Sequence, residues 1–171
     1  MLTPDEKDYL SKIPTDKTVH IFPYDPQVEK IAEALTQSVK NIYPNLGVKH
    51  MGASALGISG QNDIDIYAFS NPKNFYKYTP GLIKLFGKPK NKHETFYEWK
   101  FEKDGFDIEF YLTEKDSITM KKQIKVFEIL RKDKSLLREY EQLKESMNGK
   151  SFKKYQEKKY RFYHRIIDKN F

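Results

Sequence analysis

The sequence contains no cysteine, which excludes a disulfide framework, thiolate zinc sites and thiol nucleophiles. Any metal must then be held by oxygen ligands or by one of four histidines, and this points to hard cations. No apolar run approaches the roughly 20 residues of a membrane span, and the opening residues lack the basic and apolar regions of a signal peptide. A cytoplasmic location without membrane contact is expected. Internal repeats and low-complexity tracts are also missing. A length of 171 residues suffices for one core and is short for two. A single domain over 1–171 is therefore expected, with a sheet-bearing core over about 19–112 and a helical part over about 116–168.

What is present in excess is positive charge, with a formal net charge of +7 and an isoelectric point near 9.3. A positive surface concentrates phosphate-bearing molecules, so nucleotides and nucleic acid both qualify as partners. The same balance serves solubility alone, and charge by itself does not decide the function. The twelve tyrosines and twelve phenylalanines fall mostly at helical or strand spacing, which assigns them to a core rather than to base-stacking platforms.

Along the chain, Thr3-Pro4-Asp5-Glu6 has the hydroxyl, proline and acidic residues of a helix start. Val19–Phe22 is a brief extended segment. Asp25 caps and Pro26 starts a helix whose apolar face is Val28, Ile31, Ala32, Leu35, Val39 and Ile42, ending before Pro44. Gly47–Met51 predicts a strand, residues 52–60 a small-residue loop, and Asp63–Phe69 a second strand. A helical region from Asn71-Pro72 to about Phe86 is expected to break near Pro80-Gly81. Strands over 95–102 and 106–112 flank Asp104-Gly105, a hairpin signal. From Asp116 the apolar spacing predicts two helices divided near 133–135. Asn148-Gly149 stops the second, and Ser151 caps a last one. This order implies an α+β domain with a small mixed sheet flanked by helices and a helical C-terminal region.

Side chains alternate across a strand, so in Asn62-Asp63-Ile64-Asp65-Ile66 the two carboxylates share one face, about 7 Å apart at Cα, while the isoleucines face a core. Phe106-Asp107-Ile108-Glu109-Phe110 repeats the arrangement. Should the two strands pair with acidic faces aligned, three or four carboxylates converge, which is unfavourable unless protons or cations neutralise them. Magnesium or manganese is the natural guest, and two such ions about 4 Å apart can serve an in-line displacement on a triphosphate. The plainer alternative is two half-exposed strands whose polar faces meet water. The preceding loop, with Gly52, Gly57 and Gly60 and the hydroxyls of Ser54 and Ser59, lets backbone N–H groups approach phosphate oxygens.

Met51-Gly52, a spacer and Asp63-Ile64-Asp65-Ile66 resemble the motif of the DNA polymerase β-type nucleotidyltransferase superfamily, with Glu109 or Asp107 as the third carboxylate. Ala53 departs from it, standing where Gly or Ser is usual, so the phosphate-positioning hydroxyl must come from Ser54 or be missing. Pro23-Tyr24-Asp25-Pro26, His50-Met51-Gly52, Leu130-Arg131, Arg138-Glu139-Tyr140, Leu143-Lys144, Tyr155, Lys159 and Phe162 are similar to the GrpB-like branch, over roughly 21–167. That branch usually has Lys-Pro before a single Asp and histidines on the later strand. Here Gln61-Asn62-Asp63 restores the Asp-x-Asp pair, and Asp107, Glu109 and Tyr111 replace the histidines.

The resemblance implies a metal-dependent nucleotidyltransferase moving a nucleoside monophosphate from a nucleoside triphosphate to an unidentified acceptor. Asp63, Asp65 and Glu109 are its expected catalytic residues, and Asp107 joins them as a candidate metal ligand. Gly52, Ser54, His50, Arg131, Lys144 and Lys159 are expected to bind the nucleotide; of the cations, which also include Lys121, Lys122 and Lys125, these last three sit at family-like positions. The alternatives are a non-catalytic nucleotide-binding or regulatory module of the same fold, motivated by Ala53, and a basic nucleic-acid-binding domain, motivated by the charge.

Overall fold

A computed structural model describes residues 1–169. In chain order the elements are α1 (Pro4–Ser11), α2 (Gln27–Ile42), β1 (Gly47–Met51), α3 (Gly52–Leu56), β2 (Asp63–Phe69), a 3-10 turn (Pro72–Asn74), α4 (Phe75–Phe86), β3 (Asn91–Lys92), β4 (Phe96–Lys103), β5 (Phe106–Thr113), α5 (Ile118–Lys132), α6 (Lys134–Ser146) and α7 (Phe152–Lys169). The expected α+β class holds. Two compact units are present: a sheet unit of Tyr24–Gly57 and Asn62–Gln123, and a helical unit of Met1–Pro23, Ile58–Gln61 and the residues from Ile124 onward. Among the described residues, no helix is long and apolar enough to cross a membrane.

The sheet unit carries five strands in the order β1-β2-β5-β4-β3. Pairing is antiparallel except between the central strands β2 and β5, which run parallel. One row of side chains from these strands, Ile64, Ile66 and Ala68 with Ile108, Phe110 and Leu112, is fully buried. It packs with Val28, Ile31, Ala32, Leu35 and Val39 of α2 and Phe75 and Leu82 of α4 in one apolar cluster. Burying such side chains stabilises each by about 1.5–3 kcal/mol, which fixes the register because a slip of one residue turns the whole row to the opposite face. Trp99 closes the cluster and donates its indole N–H to the Gly87 carbonyl at 2.8 Å. The turn between β4 and β5 is the two-residue one expected, with Asp104 and Gly105 both at positive φ (52° and 84°) and Lys103 paired to Phe106.

In the helical unit, Leu10, Ile13, Val19, Met147, Phe152 and Tyr155 form a second apolar cluster. Thr3 and Glu6 form a reciprocal capping box on α1. Glu6 also bonds His164 Nε2 on α7 at 2.8 Å. Val19 exchanges backbone hydrogen bonds with Gly149 and Lys150, and Ser151 accepts from the Lys154 amide as an N-cap. Glu141 and Glu145 of α6 accept from the Ser59 amide and hydroxyl. Tyr140 stacks on Phe162, with ring centroids 5.2 Å apart.

Three local expectations are corrected. Residues 52–56 form a helical turn, α3, closed by Gly57 in the left-handed region, rather than an open loop. Asp25 accepts the Gln27 amide at 2.9 Å, and Pro26 rather than Asp25 is the N-cap. The helix through Pro80 is not interrupted, since α4 runs from Phe75 to Phe86. Proline leaves backbone groups of the preceding turn without their helical partners; here the Gly81 amide donates to the Tyr43 hydroxyl at 2.9 Å instead. A Cβ on Gly81 would lie 2.4 Å from that hydroxyl oxygen. Tyr43→Phe should therefore lower the unfolding free energy by about 1 kcal/mol, read from urea denaturation. Unchanged stability would show that water serves the Gly81 amide equally well.

Candidate active site

The parallel pairing of β2 with β5 sets Asp63 beside Asp107 and Asp65 beside Glu109. All four lie in the row of side chains opposite to the apolar one. Asp63, Asp65 and Glu109, each half-buried, bring one carboxylate oxygen apiece to within 4.8 Å of one another. Asp107 is exposed and stands outside this group. Of the two residues the sequence offered for the third carboxylate, the strand therefore brings Glu109 to the other two.

Glu109 is held from β4 and from its own strand. Lys100, its register partner, places Nζ 3.1 Å from Glu109 Oε1. The Tyr111 hydroxyl lies 3.1 Å from Glu109 Oε2 and 3.2 Å from Glu98 Oε1. Burial opposes ionisation of Glu109, but the Lys100 ammonium and hydrogen bonding with Lys100, Asp65 and Tyr111 outweigh it and hold its carboxyl below the usual range. Burial likewise works against the charge of Lys100, and Glu109 and Glu98 reverse the balance, raising it. Burial, followed by the neighbouring carboxylates, raises the Tyr111 phenol far above its ordinary value, so it stays a donor. Tyr111 stacks on Tyr67, with centroids 4.9 Å apart. Sequence reasoning missed Lys100 and Glu98. Their signal was the hairpin: counting back from the two-residue turn pairs Lys100 with Glu109 and Glu98 with Tyr111.

Gly52 follows β1 directly, at φ +81°, and a Cβ there would sit 2.6 Å from Asp65 Oδ2. Only a residue without Cβ lets the backbone come so near the carboxylate. His50 pairs in register with Ile66 and so belongs to the row that faces the apolar cluster, on the opposite side of the sheet from the carboxylates. Its Nε2 lies 2.8 Å from the hydroxyl of Ser54, which is buried. Burial pushes the His50 imidazole down to about 4, with Glu29 acting weakly the other way. Arg131, Lys144 and Lys159 belong to the helical unit. Arg131 is exposed at the end of α5. Lys144 is buried, donates to the Tyr155 hydroxyl at 2.7 Å and lies over the Tyr140 ring at 4.7 Å. Lys159 lies over the Tyr163 ring.

The three clustered carboxylates form an all-oxygen donor set suited to a hard divalent cation such as magnesium or manganese. Bare Gly52 beside Asp65 leaves space that any other side chain would fill. The residues present thus fit such an ion.

Gly57 has a positive φ like Gly52, but a Cβ on it meets nothing within 4 Å. Gly57→Ala should cost about 1–2 kcal/mol of backbone strain; Gly52→Ala should cost a further 1–3 kcal/mol or so, from overpacking against Asp65. Equal losses in urea denaturation would remove the steric role assigned to Gly52. For His50, the folded-state value lies below the ordinary 6.5, so its contribution is complete above pH 6.5. It is lost as the pH falls toward 4, because the unfolded chain takes up a proton that the fold refuses. The thermal midpoint of the wild type should drop more steeply over that window than that of His50→Gln, and parallel curves would refute the burial of His50.

Comparison with curated proteins returns no match. Among solved structures, a cytoplasmic RNA terminal U-transferase aligns with 11% identity over 80% of this chain and 44% of its own, at a TM-score of 0.41. The GLD-2/RNP-8 complex aligns with 15% identity over 80% of this chain and 60% of that one, at 0.43. The chain thus spans less than two thirds of either. The family model described as GrpB protein matches residues 18–169, a stretch that includes the Pro-Tyr-Asp-Pro and His-Met-Gly segments, the five strands and the last three helices. The chain belongs to the GrpB protein family.

Proposed function

We propose that this protein is a metal-dependent nucleotidyltransferase. An acceptor oxygen attacks the α-phosphorus of a nucleoside triphosphate; the new O–P bond forms as the bond to the β-phosphate bridge breaks, and pyrophosphate leaves. The observation that carries this reading is the convergence of Asp63, Asp65 and Glu109 on one face of two parallel strands, beside Gly52. Magnesium or manganese held there by Asp63, Asp65 and Glu109 would supply charge neutralisation for the triphosphate and acidify the acceptor hydroxyl. Asp63 and Asp65, two residues apart on a rigid strand, fix the direction from which a cation is approached. Glu109, kept ionised by Lys100, is the carboxylate assigned to the acceptor side. Lys100 itself offsets part of the charge that three clustered carboxylates would otherwise leave uncompensated.

A second reading keeps nucleotide binding and drops turnover. It is favoured by Ala53 at the position where the superfamily motif has Gly or Ser, together with the Ser54 hydroxyl being held by His50 at 2.8 Å within the interior. The Ser54 hydroxyl, the neighbouring replacement for the missing one, is thereby already engaged.

Calorimetric titration with ATP in the presence of manganese should show binding that Asp65→Asn abolishes, and equal binding by the variant would count against both readings. Incubation with labelled nucleoside triphosphates and a panel of acceptors separates them. Sustained metal-dependent pyrophosphate release is expected for the enzyme, and binding without release would leave the regulatory module.

A further inference from the structure

Glu109 carries a donor on each oxygen, and both come from the protein. Lys100 Nζ lies 3.1 Å from Oε1, and the Tyr111 hydroxyl lies 3.1 Å from Oε2. The same ammonium is 3.5 Å from Glu98 Oε1, on the strand it shares with that residue. Glu98 is buried and anchored in turn, its Oε2 accepting from Asn91 Nδ2 at 2.7 Å and its Oε1 lying 3.2 Å from the Tyr111 hydroxyl, whose one proton it shares with Glu109. Lys100 thus stands between two carboxylates, one belonging to the metal-binding group and one behind it.

A divalent ion brought to the oxygen that already faces Lys100 meets an ammonium at contact distance, and two like charges that close repel strongly in a partly buried setting. The lysine is a point charge on a flexible stem rather than a rigid fork. It can swing off Glu109 without losing its counter-charge, because Glu98 is already within ion-pair reach. An arrangement built only to rigidify the sheet needs no second acceptor behind the first.

We propose that Lys100 is a positioning residue that acts as an internal counter-cation: it holds Glu109 in place and substitutes in charge for one of two divalent ions. The site then takes up one ion on Asp63 and Asp65 and admits a second at Glu109 only when Lys100 transfers to Glu98. This inference rests on the metal-dependent reading above and deepens it, by adding a competition that controls occupancy of the acceptor side.

The test is manganese binding by the full chain without nucleotide, followed by calorimetry and by the electron paramagnetic resonance signal of free Mn²⁺. The wild type should bind one Mn²⁺ per chain tightly and a second at Glu109 at least roughly tenfold more weakly. Lys100→Met should bind the second ion roughly tenfold more tightly or better than the wild type does, and Lys100→Arg, which keeps the cation as a rigid fork, should leave that second site at least as weak as in the wild type. Glu98→Gln, which leaves the metal-binding carboxylates intact but removes the charge that receives the displaced ammonium, should weaken manganese uptake at Glu109. This variant carries the test alone should Lys100→Met not fold. Manganese stoichiometry and affinity unchanged in these variants, including the case in which none of the proteins binds manganese, overturn the proposal. Binding that Asp65→Asn abolishes but Lys100→Met leaves as in the wild type defeats the counter-cation role only. Binding that Asp65→Asn leaves intact defeats the metal-dependent reading as well.

Discussion

The parallel pairing of β2 with β5 is the constraint on which the remainder of the sheet unit depends. It joins strands more than forty positions apart in sequence, and its register is set by the buried row of Ile64, Ile66 and Ala68 against Ile108, Phe110 and Leu112. Because the two faces of a strand alternate, the hydrophobic row that fixes the register fixes the acidic row with it. Asp65 cannot leave Glu109 without carrying isoleucines out of the core. The flanking antiparallel strands complete the pattern: β1 ends at Gly52, beside Asp65, and β4 brings Lys100 to Glu109.

Gathering carboxylates works against folding, and the chain offsets this with neighbours of its own. Lys100 and Tyr111 engage Glu109, Glu98 engages those two in turn, and Asn91 donates to Glu98. The clustered carboxylates and Lys100 share one side of the sheet. On the other side, half-buried His50 and buried Ser54 satisfy each other close to the apolar cluster.

Much of this was legible in the sequence, and the parts that were not share a cause. The strands, the Asp-x-Asp face, the Asp104-Gly105 hairpin and most helix ends follow from short-range patterns, and those expectations hold. The position of Lys100 was also recoverable, since a two-residue turn determines every partner along the hairpin, but a lysine on an exposed strand gives no local hint of chemistry. Residues 52–56 were read as loop because five residues are too few for a helical period to show. The continuity of α4 through Pro80 depends on Tyr43, a hydroxyl 38 positions from the amide it accepts. The inward turn of His50 depends on strand register. The sequence placed His50, Ser54 and Lys144 by their proximity to motifs, whereas burial and partners set where their polar atoms lie. Such long-range dependence is invisible to any window moved along the chain.

The helical unit is assembled from three separated stretches of sequence, and its opening segment is tied by Val19 to the backbone at Gly149 and Lys150. During synthesis Val19 therefore leaves the ribosome well before its partners Gly149 and Lys150 are made. Closure of this unit consequently carries the entropy cost of a long loop, and a truncation ahead of Gly149 removes the backbone partners of Val19.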